Sequence, residues 1–140
     1  MNILAIISSI PHHFKKYTPR PHTISFKHAF DGVTFAFRTQ PNFRFHVFAF
    51  TSAIIAGFIF KISYLEFLSI ILISGIVFSM EMLNTALEAL GDEVAKGQFL
   101  DLIKVSKDVS AGGVLLSAAA AIILAIIIFV PKLLFMLSLL

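Results

Sequence analysis

Residues 81–92, EMLNTALEALGD, carry the groups best suited to chemistry, and they directly follow FLSIILISGIVFSM, residues 67–80, which hold no charge. Glu81, Asn84, Glu88 and Asp92 stand at i, i+3, i+7 and i+11, a spacing that places all four on one stripe of a 3.6-residue helix. Lys107 and Asp108 stand just before the next long apolar run. A carboxylate shielded from water can act as a general base. Carboxylates also hold Mg²⁺, which keeps some waters and takes phosphate oxygens as further ligands. A lysine neutralises phosphate as a point charge. Together these are the parts for phosphoryl transfer to a hydroxyl at a membrane surface. They are also the parts of an ion pathway. A third reading needs no function: Glu81 and Glu88 could pair with lysines or bond between helices. An acidic side chain costs about 2.5–3.5 kcal/mol at the centre of a span and less towards its edge.

The composition sets the surroundings. Of the 140 residues, 58% are hydrophobic and 14% charged, and the mean hydropathy is +0.93. One small soluble domain could not cover that much apolar surface, so the chain reads as an integral membrane protein. No cysteine is present, which excludes a disulfide framework and a cysteine-based zinc site. Sixteen Phe and no Trp leave packing and interfacial anchoring largely to phenylalanine. The net charge of +3 lies beside apolar spans. It reads as a membrane-orientation signal and not as a nucleic-acid surface.

The elements that must position the stripe follow from periodicity. Residues 1–23 form a basic lead with Pro11, Pro19 and Pro21. Its apolar run, residues 3–10, lacks a preceding basic region and a cleavage site, so it reads as a flexible or interfacial segment and not as a signal peptide. His12 and His13 read as solvated linker residues. Across about 24–40, Phe26, Phe30, Val33 and Phe37 recur at helical spacing, with Lys27, Asp31, Thr34 and Arg38 one position later. This predicts an amphipathic helix lying in the membrane interface, ended by Pro41. Three spans are expected at about 43–60, 64–90 and 109–130, the last with a possible kinked continuation past Pro131. The short link near Lys61 and the polar loop at about 91–108 join them. Asp108 is a candidate helix cap there.

Orientation follows from the basic residues. Lys15, Lys16, Arg20, Lys27, Arg38 and Arg44 precede the first span, and Lys96, Lys104 and Lys107 lie in the second loop. Only Lys61 and Lys132 fall on the other side. That asymmetry places the N-terminus and the second loop in the cytoplasm of a multi-pass protein. At 1.5 Å per residue, Glu81 then lies about 25 Å along a span entered at Tyr64, just inside the inner leaflet, and Glu88 about 36 Å along it, at headgroup level. Arg44 and His46 sit near the inner end of the first span, where contact with lipid phosphate or nucleotide and simple snorkelling are both open. Gly112, Gly113 and Ala118–Ala121 read as helix-packing residues. No Walker or protein-kinase motif is present.

These residues carry a resemblance. The pattern E-x-x-N-[ST]-A-x-E-x-x-x-D (Glu81, Asn84, Thr85, Ala86, Glu88, Asp92), the pair Lys107 and Asp108 followed by Ala111, Gly112 and Gly113, and N-x-R-x-H (Asn42, Arg44, His46) are together similar to the small prokaryotic diacylglycerol kinase and undecaprenol kinase family. The resemblance covers about residues 24–130, and its third pattern is nearer the undecaprenol branch. It implies an all-α bundle with one surface helix and three transmembrane helices, assembled as a homotrimer with sites shared between subunits, in the bacterial inner membrane. It also implies ATP as co-substrate, Mg²⁺, and a membrane lipid alcohol as acceptor. By the same resemblance Glu81 is the general base and Glu88 a metal ligand, Asn84 assists, and Asp92, Lys107, Asp108 and Gly32 bind nucleotide. Arg44 and His46 are read as substrate-contacting or assisting residues. Where the family often has a metal-binding glutamate, this chain has Gln40. The stretch between Asp92 and Lys107 is about one residue longer than in the family, and the first 20 residues have no counterpart. A small channel or transporter subunit, and an inactive membrane scaffold, are the other readings.

Overall fold

The structure, a computed structural model, describes residues 26–138. The expected basic lead over residues 1–23, with His12 and His13, lies outside the described residues. Contacts divide the chain into residues 1–30 and 31–140. All of the geometry below belongs to the second unit.

Four helices follow one another: α1 (Phe26–Thr39), α2 (Pro41–Ile59), α3 (Tyr64–Ala95) and α4 (Asp101–Leu137). The last three are long and apolar enough to cross a membrane. α1 ends where Pro41 demands an extended predecessor. Gln40 takes that conformation (φ −103°, ψ 110°) and Pro41 opens α2, where its missing N–H has no partner to lose. α3 starts with a reciprocal cap: the Ser63 hydroxyl accepts from the Glu66 N–H, and the Glu66 carboxylate accepts from the Ser63 N–H at 2.6 Å. It ends at Lys96, which adopts a left-handed conformation (φ 47°) and donates its N–H to the Asp92 carbonyl.

Two boundaries differ from the sequence reading. The loop expected at about 91–108 shrinks to residues 96–100, because α3 runs on to Ala95 and α4 already begins at Asp101. Lys107 and Asp108 therefore sit in the second turn of α4, and the N-cap position belongs to Leu100, not to Asp108. Hydropathy marks where a helix leaves the hydrocarbon, but a helix with polar faces continues into water. The helix also passes through Pro131 and holds to Leu137.

α3 and α4 share the largest interface, and α2 packs on α3. The apolar core clusters towards the Lys61 end, where Ile62, Ile70 and Ile128 are buried among Phe50, Phe60, Phe67 and Phe129. Rings interlock across it, Phe58 on Phe67 at 5.1 Å and Phe60 on Phe129 at 6.0 Å. Gly57 permits this approach, since a Cβ there would lie 2.7 Å from the Phe67 ring. At the same end Lys132 Nζ donates to Glu66 Oε1 at 2.9 Å, tying α4 to the start of α3. The pair carries no signal in the sequence, because its partners stand 66 residues apart.

The stripe of α1 does not turn inward. Val33 and Phe37 are exposed, whereas Ala36 is fully buried and a Cβ on Gly32 would meet Met82 at 3.7 Å. Ala36 and Gly32 face the other helices, and Val33 and Phe37 flank them half-exposed, a division that suits an interfacial helix.

Candidate functional site

The polar stripe of α3 lies at the other end of the molecule from the Phe-rich core. Exposure rises along it as the helix climbs out of the bundle: 2% at Glu81, 8% at Asn84, intermediate at Glu88 and 71% for the Asp92 side chain. One helix face thus runs from shielded carboxylate to solvent.

Glu81 and Asn84 line a cleft of about 320 Å³ whose other walls come from α2 (Asn42, Phe45, His46) and α4 (Ala111, Val114, Leu115). His46 Nε2 stands 3.2 Å from Glu81 Oε1. The distance suits an ion pair, but the ring N–H does not aim at the oxygen, and Glu81 Oε1 is a buried oxygen with no hydrogen bond among the described residues. The Glu81 carbonyl is engaged separately, by the Thr85 hydroxyl at 2.9 Å. A buried carboxylate oxygen left without a donor is costly unless something else meets it.

Further along, Asn84 Nδ2 donates to Glu88 Oε1 at 2.9 Å, and the Ser110 hydroxyl from α4 donates to Asn84 Oδ1 at 2.7 Å. The bond to Glu88 uses Oε1 and leaves Oε2 for other ligands. At the exposed end Lys107 Nζ meets Asp92 Oδ1 at 2.6 Å, joining α4 to α3. The lysine therefore pairs with the outermost carboxylate and leaves the inner two to other partners. α4 approaches closely along this side because Gly113 has no Cβ, which would collide with Met80 Cε.

No group of three His, Asp or Glu side chains converges on a metal position among the described residues. Glu88, whose Oε2 has no hydrogen bond among the described residues, fits a cation held mainly by phosphates, since Mg²⁺ in nucleotide sites takes one or two carboxylates with substrate phosphates and water.

A shielded carboxylate, an amide, a second carboxylate and a lysine, ordered from apolar interior to water, are the parts of phosphoryl transfer at an interface. Residues 27–129 match the family described as prokaryotic diacylglycerol kinase. The chain belongs to that family. A diacylglycerol kinase of Synechocystis is 39% identical over 111 residues, which are 79% of this chain and 63% of that one. An undecaprenol kinase of Bacillus subtilis is 39% identical over 109 residues, 78% of this chain and 88% of that one.

Not every residue that the family resemblance points to gathers at the cleft. Asp108 pairs with Lys104 one turn back on α4, and both side chains are exposed. Arg44 donates to the Phe37 and Arg38 carbonyls at 3.2 and 3.0 Å, satisfying the C-terminal end of α1. Gly32 lies beside Met82, about 100° around α3 from Glu81. Gln40 is the N-cap residue of α2 and its side chain makes no capping bond. Between α1 and the outer faces of α2 and α3 runs an apolar groove of about 1090 Å³, lined by Val33, Phe37, Arg38, Phe43, Phe78 and Met82 among others. Met82 and Leu83 point away from the Glu81 face, so the groove lies mainly on a different flank of α3 from the cleft, with Phe78 between the two. Ser110 was not legible as part of the site: one serine in a helix carries no signal, and only the packing of α4 on α3 brings it to Asn84.

Proposed function

We propose that this protein is an ATP-dependent lipid kinase of the bacterial inner membrane, with its N-terminus and the α3–α4 loop in the cytoplasm. It transfers the γ-phosphate of ATP to the hydroxyl of a membrane lipid alcohol, and of the two alcohols named by its relatives we propose undecaprenol. The observation that carries this reading is Glu81 Oε1, a buried carboxylate oxygen without a hydrogen bond, on the wall of a cleft at the edge of the bilayer.

In this reading the lipid hydroxyl enters the cleft from the inner leaflet and donates to Glu81 Oε1. Glu81 takes its proton as the oxygen attacks the γ-phosphorus, and ADP leaves. His46 flanks the carboxylate, its Nε2 at 3.2 Å. Asn84 holds Glu88, the ligand for Mg²⁺. When bound, Mg²⁺ would offset the negative charge of the phosphates. Asp92, Lys107, Asp108 and Gly32 are assigned to the nucleotide. Lys107 must exchange Asp92 for phosphate, a change open to a pair at the exposed end of the stripe. The cleft is open on one side, rimmed by exposed Phe45 and Leu115, and we propose a homotrimer in which a neighbouring subunit closes it. The separation of groove and cleft within one protomer supports that arrangement.

The test is transfer of label from [γ-³²P]ATP into lipid by purified protein in proteoliposomes containing undecaprenol, diacylglycerol or neither. Label in a lipid alcohol is the expected result. Ion flux without lipid labelling would replace the kinase with the channel reading.

A further inference from the structure

Ser110 falls outside every motif that points to the cleft, yet it is buried at 8% exposure and reaches across from α4 to α3. Its Oγ lies 2.7 Å from Asn84 Oδ1 and 2.9 Å from the Lys107 carbonyl oxygen. Both are acceptors, and the hydroxyl has one proton to give. The Lys107 carbonyl belongs to Ser110's own helix and is within reach however α3 sits. The Asn84 amide is within reach only when the two helices are in register.

The amide itself could stand in two orientations. With Oδ1 towards Ser110, the hydroxyl donates to it, and Nδ2 donates onward to Glu88 Oε1 at 2.9 Å. Turned over, Oδ1 would face the carboxylate, acceptor against acceptor. An ionised Glu88 and a donating Ser110 therefore select the same orientation. The result is a one-way run of bonds, Ser110 to Asn84 to Glu88, in which each bond polarises the next. Its far end holds one oxygen of Glu88 and leaves the other free.

We propose that Ser110 is a positioning residue for the cation site: by fixing the Asn84 amide it holds the Glu88 carboxylate ready for the divalent cation that accompanies ATP. The proposal rests on the reading of Glu88 as a cation ligand. Ser110 touches neither cation nor substrate, so its loss acts on cation affinity more than on the phosphoryl-transfer step.

The experiment is Mn²⁺ binding followed by electron paramagnetic resonance, on the full chain in nanodiscs with a non-hydrolysable ATP analogue. Ser110→Ala is expected to weaken Mn²⁺ binding about five-fold, the scale of one lost neutral hydrogen bond. Ser110→Cys, nearly isosteric but a weak donor, is expected to fall with Ala, and Ser110→Thr, which keeps the hydroxyl, with the parent. In turnover assays the Mg²⁺ concentration for half-maximal rate should rise by a similar factor, with a smaller change in kcat at saturating Mg²⁺. In an Asn84→Ala background, Ser110→Ala should weaken Mn²⁺ binding no further. Parent-like Mn²⁺ affinity in the Ala and Cys variants, with Glu88→Gln clearly weakened, would overturn the role of Ser110 and spare that of Glu88. Unchanged affinity in Glu88→Gln would overturn both. Additive losses in the double variant would also overturn the proposal, since Ser110 would then act without Asn84.

Discussion

His46 Nε2 lies 3.2 Å from Glu81 Oε1 without completing a hydrogen bond, and no group among the described residues donates to that oxygen. The pair joins α2 to α3 at the floor of the cleft. A carboxylate oxygen without a hydrogen bond has room for a donor, which is what the proposed role of Glu81 as base requires. Glu81→Gln keeps the shape and removes the base. It should lower kcat by at least about 100-fold, the lower end of what general acid–base catalysis contributes, with assembly intact by size-exclusion chromatography. His46→Ala should lower kcat by about ten-fold or more, the scale of a lost contact to a charged group, and leave the KM for ATP nearly unchanged. Near-parent turnover of Glu81→Gln in proteoliposomes would remove Glu81 from the role of base.

The choice of lipid is a separate expectation. The N-x-R-x-H pattern of Asn42, Arg44 and His46 is nearer the undecaprenol branch, so kcat/KM should be higher for undecaprenol than for diacylglycerol in one bilayer composition. A clear preference for diacylglycerol would reverse the assignment.

Gln40 gives a test on the cation. It occupies the N-cap position of α2 with its side chain free of any capping bond. An amide carbonyl can ligate Mg²⁺ or accept from a water bound to it, but it brings no formal charge. If it stands where the family's glutamate stands, Gln40→Glu should lower the Mg²⁺ concentration for half-maximal rate and Gln40→Ala should raise it. Titrations that vary free Mg²⁺ and MgATP separately would check this. Parent-like curves for both variants would place Gln40 outside the metal site.

Gly57 tests the packing. A Cβ there would fall 2.7 Å from the Phe67 ring and 2.9 Å from Ile62 Cδ1, in the best-packed part of the bundle. Gly57→Ala should destabilise the fold by about 1–3 kcal/mol, the usual cost of overpacking, seen as a lower Tm in detergent. Because the contact sits at the opposite end from Glu81, the specific activity of the folded fraction should change little. An unchanged Tm would mean that α2 and α3 can part there without cost.

The sequence by itself determined the class of molecule and the path of the chain. Apolar runs of sufficient length and Pro41 after Gln40 are local properties, readable because each helix satisfies its own backbone and faces lipid largely alone. The stripe of Glu81, Asn84, Glu88 and Asp92 was legible for the same reason, since one helix fixes their angles. Helix ends were less so: the loop read at 91–108 became residues 96–100 because hydropathy reports the membrane boundary and not the last hydrogen bond. Partners across helices were not legible at all. That Lys107 meets Asp92, that Lys132 meets Glu66, that Ser110 meets Asn84 and that Glu81 stands beside His46 depend on helix rotation and register. Those are set by side-chain fit at places such as Gly57 and Gly113, where a missing Cβ admits the neighbouring helix. Spacing along one helix placed the carboxylates on a face, and only the packing of three helices decided which of them, among the described residues, gained a partner on another helix and which kept an oxygen without a hydrogen bond.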